Sequence, residues 1–556
     1  MVKITIDGIE IEVEKGTTVI QAADELGIEI PRYCYHPGLS IVGVCRICLV
    51  EIERIPKLQV ACYTPVTDGM VVHTNNDNVR QARQAVLEFL LVNHPLDCPV
   101  CDQAGECWLQ NFYMEYGRHD SQMIENKVKK HKALPVGPNV ILDSERCILC
   151  TRCVRFCDEV SQTHELGIFD RGDHSELLPY PGRELDNKYA GNTIDICPVG
   201  ALTDRDFRFR TRVWYLEETK SICPGCSNGC NIYIHHSEER PYKADGARIT
   251  RLKPRFNPEV NDWWMCDDGR YGFDFIDAAT RLTAPKQKVR SGWEELAWDL
   301  AISDVAQRLK QSLDRHGPES VGIILSPQMT NEGLYSAGLF FKTVLKAQNL
   351  DYEVTPLEPG YADDFLIKAD KHPNSKGAEI LGLGAQAYGG QNVAQMLKAV
   401  TEKRVKVLYI CYHDLENRFA LSEIEAACKS AELVIFQGSN ENATSALADY
   451  ILPSATFAEQ DGTFTNHSGR VQRIFKAVQP LTASKPDWWI FKQLAKSFGK
   501  AWPYFAVEDV FDALAQDVAE FAGLTYETIG EEGTALNGHN GTKEVEQLNL
   551  WRKPSG

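Results

Sequence analysis

No stretch of the 556 residues approaches the roughly 20 consecutive apolar positions that a bilayer-spanning helix needs. The most apolar stretches, at 321 to 325 and 405 to 411, have the length of buried strands. Positive charge is also in deficit: 59 Lys and Arg against 77 Asp and Glu leave a net charge of −18. That excludes nucleic acid and an anionic membrane surface as partners, since either calls for a basic face. The N-terminus, MVKITIDGIEIEV, alternates apolar and polar residues as a strand does. It has neither the apolar core of a secretory signal nor the Arg- and Ser-rich character of a transit peptide. A dinucleotide fingerprint is missing too, with no G-x-G-x-x-G between a strand and a helix and no flavin signature. The glycine-rich GLGAQAYGG at 382 to 390 has the wrong spacing and reads as a turn.

Cysteine is scarce in one half only. Of 18 cysteines, Cys411 and Cys428 alone lie beyond residue 266. In a reducing cytoplasm such a number would not persist as disulfides, so metal binding is the better explanation. The first sixteen fall into four sets. Cys34, Cys45, Cys48 and Cys62 follow two strand-like runs and a short helix around Val19 to Leu26, as in a β-grasp ferredoxin domain. Gly38 and Gly43 in that loop let the backbone approach a cluster and aim N–H groups at its sulfurs. A 2Fe–2S cluster is expected, with a four-cysteine zinc site as the alternative.

The second set, HPLDCPVCDQAGEC, offers Cys98, Cys101 and Cys107 and is one ligand short. His94 stands just upstream, at the end of the apolar helix RQAVLEFLLVNH. Either it caps that helix or it is the fourth ligand; the missing ligand favours the second. A neutral imidazole in place of a thiolate removes negative charge and by itself raises the reduction potential. The third set is CILCTRC, Cys147, Cys150 and Cys153, closed by Cys197 ahead of Pro198. A tetrahedral zinc has no need of that triplet. Cys157 would extend it, but no further triplet precedes Cys197 to form a second cluster, so Cys157 is read as a non-ligand. The fourth set is Cys223, Cys226 and Cys230 with the remote Cys266, a 4Fe–4S pattern with zinc again as competitor. Sixteen ligands, one of them His94, leave Cys157, Cys411 and Cys428 over, the last two as ordinary buried residues.

Beyond residue 276, strand-like SVGIILS, VKVLYICY and ELVIFQG alternate with amphipathic helices at 293 to 315 and 420 to 431. A parallel sheet covered by helices follows from that alternation.

The order of the four sets, with the strings GVCRICLVEIE, NHPLDCPVCDQAGEC, CILCTRCVRFC and NTIDICPVGALTDRDFRF, resembles the large iron–sulfur subunit of respiratory complex I, the G subunit of bacterial NADH–quinone oxidoreductase. The string ADYILPSATFAEQDGTFTNHSGRVQRIFKAVQP resembles the molybdopterin-oxidoreductase domain. The fold class so implied is α+β and α/β, in several domains. They are a β-grasp 2Fe–2S ferredoxin domain at 1–80, a 4Fe–4S domain ligated by one histidine and three cysteines at 81–120, and a 4Fe–4S ferredoxin-like domain at 121–215. A 4Fe–4S segment of the Mo/W-oxidoreductase type at 216–275, a truncated molybdopterin-oxidoreductase-like α/β domain at 276–530 and a polar tail at 531–556 complete the chain.

The resemblance implies one 2Fe–2S cluster on Cys34, Cys45, Cys48 and Cys62. It implies three 4Fe–4S clusters: on His94, Cys98, Cys101 and Cys107; on Cys147, Cys150, Cys153 and Cys197; and on Cys223, Cys226, Cys230 and Cys266. About 280 residues are too few to enclose a pterin, so no molybdopterin is expected. Implied partners are an FMN- and NADH-binding subunit, a 2Fe–2S thioredoxin-like subunit, a two-cluster 4Fe–4S ferredoxin-like subunit and other peripheral-arm subunits. Membrane attachment would be indirect, on the cytoplasmic side of a bacterial inner membrane. In that family electrons enter at the 2Fe–2S cluster, pass to the Cys147 set and leave from the His94 set. No catalytic residue is expected on this chain. The rivals are the iron–sulfur component of a soluble NAD(P)-linked formate dehydrogenase or hydrogenase-type complex, and a zinc-stapled scaffold.

Overall fold

The computed structural model describes residues 1–118, 120–244, 246–353 and 361–536, and the elements below are those of the described residues. The chain divides between Leu216 and Glu217 into two compact units. No helix among the described residues is long and apolar enough to cross a membrane.

In the first unit, β1 (Val2–Ile6) and β2 (Ile9–Val13) form an antiparallel hairpin. Asp7 and Gly8 turn it with φ of 47° and 85°, the left-handed pair that a two-residue hairpin loop demands. α1 (Val19–Glu25) follows, its start fixed by Gln21, whose side-chain oxygen accepts from the Thr18 N–H at 2.9 Å. β3 (Leu49–Ile52), β4 (Gln59–Val60) and β5 (Val71–His73) complete a sheet of order β2-β1-β5-β3-β4, in which β1 and β5 run parallel. This is the expected β-grasp. α2 (Asp77–Leu91) and α3 (Trp108–Tyr116) pack beside it, and α4 (Arg152–Glu159) follows the third cysteine triplet. The strand at Leu202–Asp204 pairs antiparallel with Val140–Leu142, placing Leu202 opposite Leu142. That ladder draws Cys197 back beside Cys147.

In the second unit, strands at Glu217–Ile222, Asn231–His236 and Ile249–Pro254 form an antiparallel sheet. Five parallel strands then run in the order Asn349–Asp351, Val321–Ile324, Val407–Cys411, Leu433–Gly438, Tyr450–Pro453, with an antiparallel hairpin (Lys286–Val289, Gly292–Glu295) at the far edge. Numbered along the chain this is 2-1-3-4-5, a doubly wound order with its switch point between Val321–Ile324 and Val407–Cys411.

Several expectations need correction. The helix expected at 293 begins at Trp298, because Gly292–Glu295 is held as a strand against Lys286–Val289; that pairing overrides a helix-favouring Glu-Glu-Leu run. The tail expected from 531 starts too early. Thr534 and Ala535 pair with Val471 and Arg470, and Leu536 is buried; the rest of that tail, 537–556, lies outside the described residues. The segment 216–275 packs against the rest of its unit: the Ser227 N–H donates to the Asp370 carbonyl at 2.9 Å and Gln472 to the Gly229 carbonyl at 2.9 Å.

Phe491 anchors the doubly wound core, with its ring 5.5 Å from that of Phe341 and 6.0 Å from that of Tyr409, and fully buried. Phe491→Ala should lower the unfolding free energy of this unit by about 3–5 kcal/mol, read as a shift of its denaturant midpoint; a change under about 1 kcal/mol would contradict this packing account.

Candidate iron–sulfur centres

The four thiols of the first set converge closely enough to share hydrogen bonds, Cys34 with Cys45 and Cys62, and Cys48 with Cys62. Gly43 has φ of 63°, and the amide of the next residue, Val44, donates to the Cys34 sulfur. Gly38 does not act as expected: its N–H goes to Nδ1 of His36 at 3.1 Å. Arg46, between Cys45 and Cys48, has φ of 59°.

His94, Cys98 and Cys107 stand on the wall of one cavity, and the charge of Cys101 is felt at Cys107. The end of α2 has a cap other than His94. The last carbonyls of α2, on Leu91 and Val92, both accept from Nζ of Lys127 at 2.8 Å, the favourable place for a cation. Burial holds the His94 pKa down at about 4, so at neutral pH the ring is the uncharged form that a metal ligand must be. Beside it, hydrogen bonds from Arg146 at 3.0 and 2.7 Å hold the Asp97 carboxyl down at about 2. This ion pair ties the residue before Cys98 to the residue before Cys147. The N–H of Trp108 donates to the Pro198 carbonyl at 3.0 Å, tying Cys107 to Cys197 in the same way.

Cys147, Cys150, Cys153 and Cys197 line a small cavity walled otherwise by Leu149, Val199 and Leu202. Leu149 and Thr151 have φ of 54° and 61°, a conformation that costs roughly 1–2 kcal/mol per residue without glycine. What it achieves is local: the Leu149 N–H donates to Sγ of Cys147 at 3.4 Å. Cys157 is buried but does not line that cavity; its sulfur accepts from the amides of Glu165 and Leu166.

These three sets share one apolar core. Cys34, Cys107 and Cys150 are buried in a single cluster with Tyr33, Leu109 and Phe112, and Cys45, Cys147 and Cys197 pack against it. The domains expected at 1–80, 81–120 and 121–215 thus meet in common packing.

In the second unit the fourth set occupies the hairpin loop between Glu217–Ile222 and Asn231–His236, closed by the Cys223 N–H to the Cys230 carbonyl at 2.8 Å. Cys266 arrives at the start of the helix Asp267–Tyr271 and accepts from the Gly269 N–H at 3.4 Å. Asn228 Nδ2 donates to Sγ of Cys230 at 3.1 Å. All four thiols line one cavity.

Burial pushes these thiols up, Cys107 to about 11, Cys147 to about 12, Cys150 to about 11 and Cys266 to about 12. The thiols of the third set and those of the fourth each ring a small cavity, an arrangement that suits a multi-atom cluster. Two further observations fit such a group. A Cβ on Gly200 would lie 2.3 Å from the Cys101 sulfur, and one on Gly269 2.8 Å from that of Cys223, so both glycines cradle ligands. The buried hydroxyl of Tyr33, within the field of Cys107 and Cys45, has no hydrogen-bond partner among the described residues; a cluster sulfide would supply one. Spacing gave no signal for Tyr33, Gly200, Gly269 or Asn228.

The molybdopterin site is different. At the switch point His413 is buried and bonded through Nε2 to the Leu325 carbonyl at 2.7 Å, and its ring meets that of His372. Nearby, Asp487 is buried and accepts from Ser454, Gln437 and Tyr412 at 2.7, 2.7 and 2.9 Å. These polar groups are satisfied by the chain itself.

Four such donor sets, with one doubly wound unit, define an iron–sulfur protein of the electron-transfer class. Comparison with known families agrees domain by domain. A 2Fe-2S iron-sulfur cluster binding domain matches residues 1–77, the NADH-ubiquinone oxidoreductase-G iron-sulfur binding region 83–122, and the NADH-quinone oxidoreductase subunit 3, ferredoxin-like domain 137–203. The Molybdopterin oxidoreductase Fe4S4 domain matches 216–278 and Molybdopterin oxidoreductase 368–497. The chain is 32% identical to the G subunit of NADH-quinone oxidoreductase of Rickettsia conorii, over 89% of this chain and 87% of that one. To its counterpart of the same name in Streptomyces coelicolor it is 38% identical, over 70% of this chain and 45% of that one. To the mitochondrial NADH-ubiquinone oxidoreductase 78 kDa subunit of Candida albicans it is 29% identical, over 93% and 88%. Among solved structures, a chain of a NAD+-reducing NiFe hydrogenase aligns with 38% of this chain and 91% of its own at 32% identity, with a TM-score of 0.35. The chain belongs to the family of NADH-quinone oxidoreductase G subunits, and its role is electron transfer.

Gly200→Ala should displace Cys101 and cost the protein the iron of that centre alone, measured as iron content with the remaining cluster signals intact. Full iron content in this variant would contradict the cradle.

Proposed function

We propose that this chain passes single electrons from a flavin-bearing, NADH-oxidising partner toward quinone, through one 2Fe–2S and three 4Fe–4S clusters held by the sixteen residues named above. The observation that carries this reading is the shared core of the first three sets, because one-electron exchange needs redox centres that are near neighbours with little reorganisable water between them. When bound, the clusters supply reversible one-electron chemistry; the chain's own residues hold, bury and tune them. Amide N–H groups on sulfur, such as those of Leu149 and Gly269, stabilise the more negative, reduced form.

His94 is proposed as the fourth ligand of the second centre. The partners are proposed to be the FMN- and NADH-binding subunit, a 2Fe–2S thioredoxin-like subunit and a two-cluster ferredoxin-like subunit. The site is proposed to be the cytoplasmic face of a bacterial inner membrane, with attachment through the complex. The doubly wound unit is proposed to be structural and free of molybdenum and pterin, a reading supported by the internal satisfaction of His413 and Asp487.

Two variants test this. Cys150→Ala should remove one cluster and abolish quinone reduction, while reduction of an artificial acceptor at the flavin partner persists; unimpaired quinone reduction would refute the assignment. His94→Cys should keep its cluster and lower the midpoint potential of that centre alone, because a thiolate restores negative charge. An unmoved midpoint would remove His94 from the ligand set.

A further inference from the structure

Arg152 begins α4 between two ligands of the third set, and its side chain is almost fully buried. Its fork reaches across the unit rather than along it. One arm donates to the Ile196 carbonyl at 3.0 Å, beside Cys197. The other donates to the Tyr35 carbonyl, beside Cys34. The guanidinium carbon lies 4.7 Å from the ring centroid of Trp108, beside Cys107. Its Nε–H is buried and has no hydrogen-bond partner among the described residues. Among the described residues its hydrogen bonds go to neutral carbonyls, the groups able to answer its charge once ionised are the thiols of Cys150, Cys197 and Cys34, and Arg155 adds a like charge.

A buried cation without a carboxylate is costly, by several kcal/mol for an ion of this size. It is therefore expected only where some other negative group answers it. A cluster held by four thiolates is such a group, and gains one further negative charge on reduction. Arg155, one turn on, completes the junction by donating to the carbonyls of Cys34, Cys150 and Ser40. The two loops are thus held at a fixed separation by fixed positive charge.

We propose that Arg152 is a positioning residue shared by the first and third centres, whose permanent charge raises the reduction potential of the third centre relative to the first and so makes the electron's step between them downhill. This rests on the cluster assignment proposed above. No proton moves; one electron leaves the first centre and one enters the third. Arg152 is nearer the third, standing between its ligands in sequence and bonded beside a fourth, so its removal should act there most.

The experiment is a redox titration of the assembled complex, followed by electron paramagnetic resonance, on wild type, Arg152→Gln and Arg152→Lys. Arg152→Gln should shift the equilibrium between the two centres against the third by about tenfold, equivalent to 59 mV for one electron. Arg152→Lys keeps the charge and should hold the midpoint of the third centre near that of wild type, even where loss of the fork lowers thermal stability. Unmoved midpoints in Arg152→Gln with both signals present would overturn the proposal. So would a fall in Arg152→Lys as large as in Arg152→Gln. If Arg152→Gln loses the third signal, Arg152→Lys decides alone: a retained midpoint supports the charge and a tenfold shift overturns it. Absence of cluster signals from wild type would instead overturn the underlying assignment.

Discussion

Desolvation of thiols is the constraint on which the rest of this molecule depends. A cysteine taken out of water resists ionisation, and here burial pushes Cys107 and Cys150 to about 11 and Cys147 to about 12. Only the thiolate ligates iron, so the ligated form exists only if the metal displaces the proton and the surroundings accept the charge. The chain meets this with amide N–H groups aimed at sulfur, with Asn228 on Cys230, and with Arg152 in the junction of the first unit. Cluster binding is thereby coupled to the loss of protons from these thiols.

The backbone supplies the other half of the arrangement. Arg46, Leu149 and Thr151 each take a left-handed conformation between ligands of a Cys-x2-Cys turn. Such strain persists only where the surrounding structure over-determines it, and here the surroundings are short loops fixed by the β3 sheet, by α4 and by the Leu202–Asp204 ladder. In the second unit the same task falls to a hairpin loop and a helix start, with Gly269 letting two sulfurs approach. At the switch point of the doubly wound sheet His413 bonds to the Leu325 carbonyl.

Spacing alone made the four cysteine sets legible as candidate ligand groups, because residues that serve one metal centre commonly cluster along the chain. The β-grasp class of the first domain and the parallel sheet were legible for the same reason: the period along a strand or helix is local. What joins the sets was not. Arg152 bonds beside residues 34 and 197, Tyr33 faces Cys107, and Gly200 cradles Cys101; no local pattern encodes those meetings. Lys127, which caps the end of α2 at the Leu91 carbonyl, lies 36 residues downstream of it. Gly38 was misread because its amide had a nearer acceptor in His36, and the helix at 298 because sheet pairing claimed the residues before it.

The central claim is that these side chains surround iron and sulfide, and that the first three centres are close enough to exchange electrons. Anaerobic material reduced stepwise with dithionite and followed by electron paramagnetic resonance, alongside iron and acid-labile sulfide content, tests it most directly. The account predicts iron and sulfide in equal amounts, one 2Fe–2S and three 4Fe–4S signals, and spin coupling among the three centres of the first unit. Folded, functional protein that is colourless, iron-free and zinc-bound would contradict it.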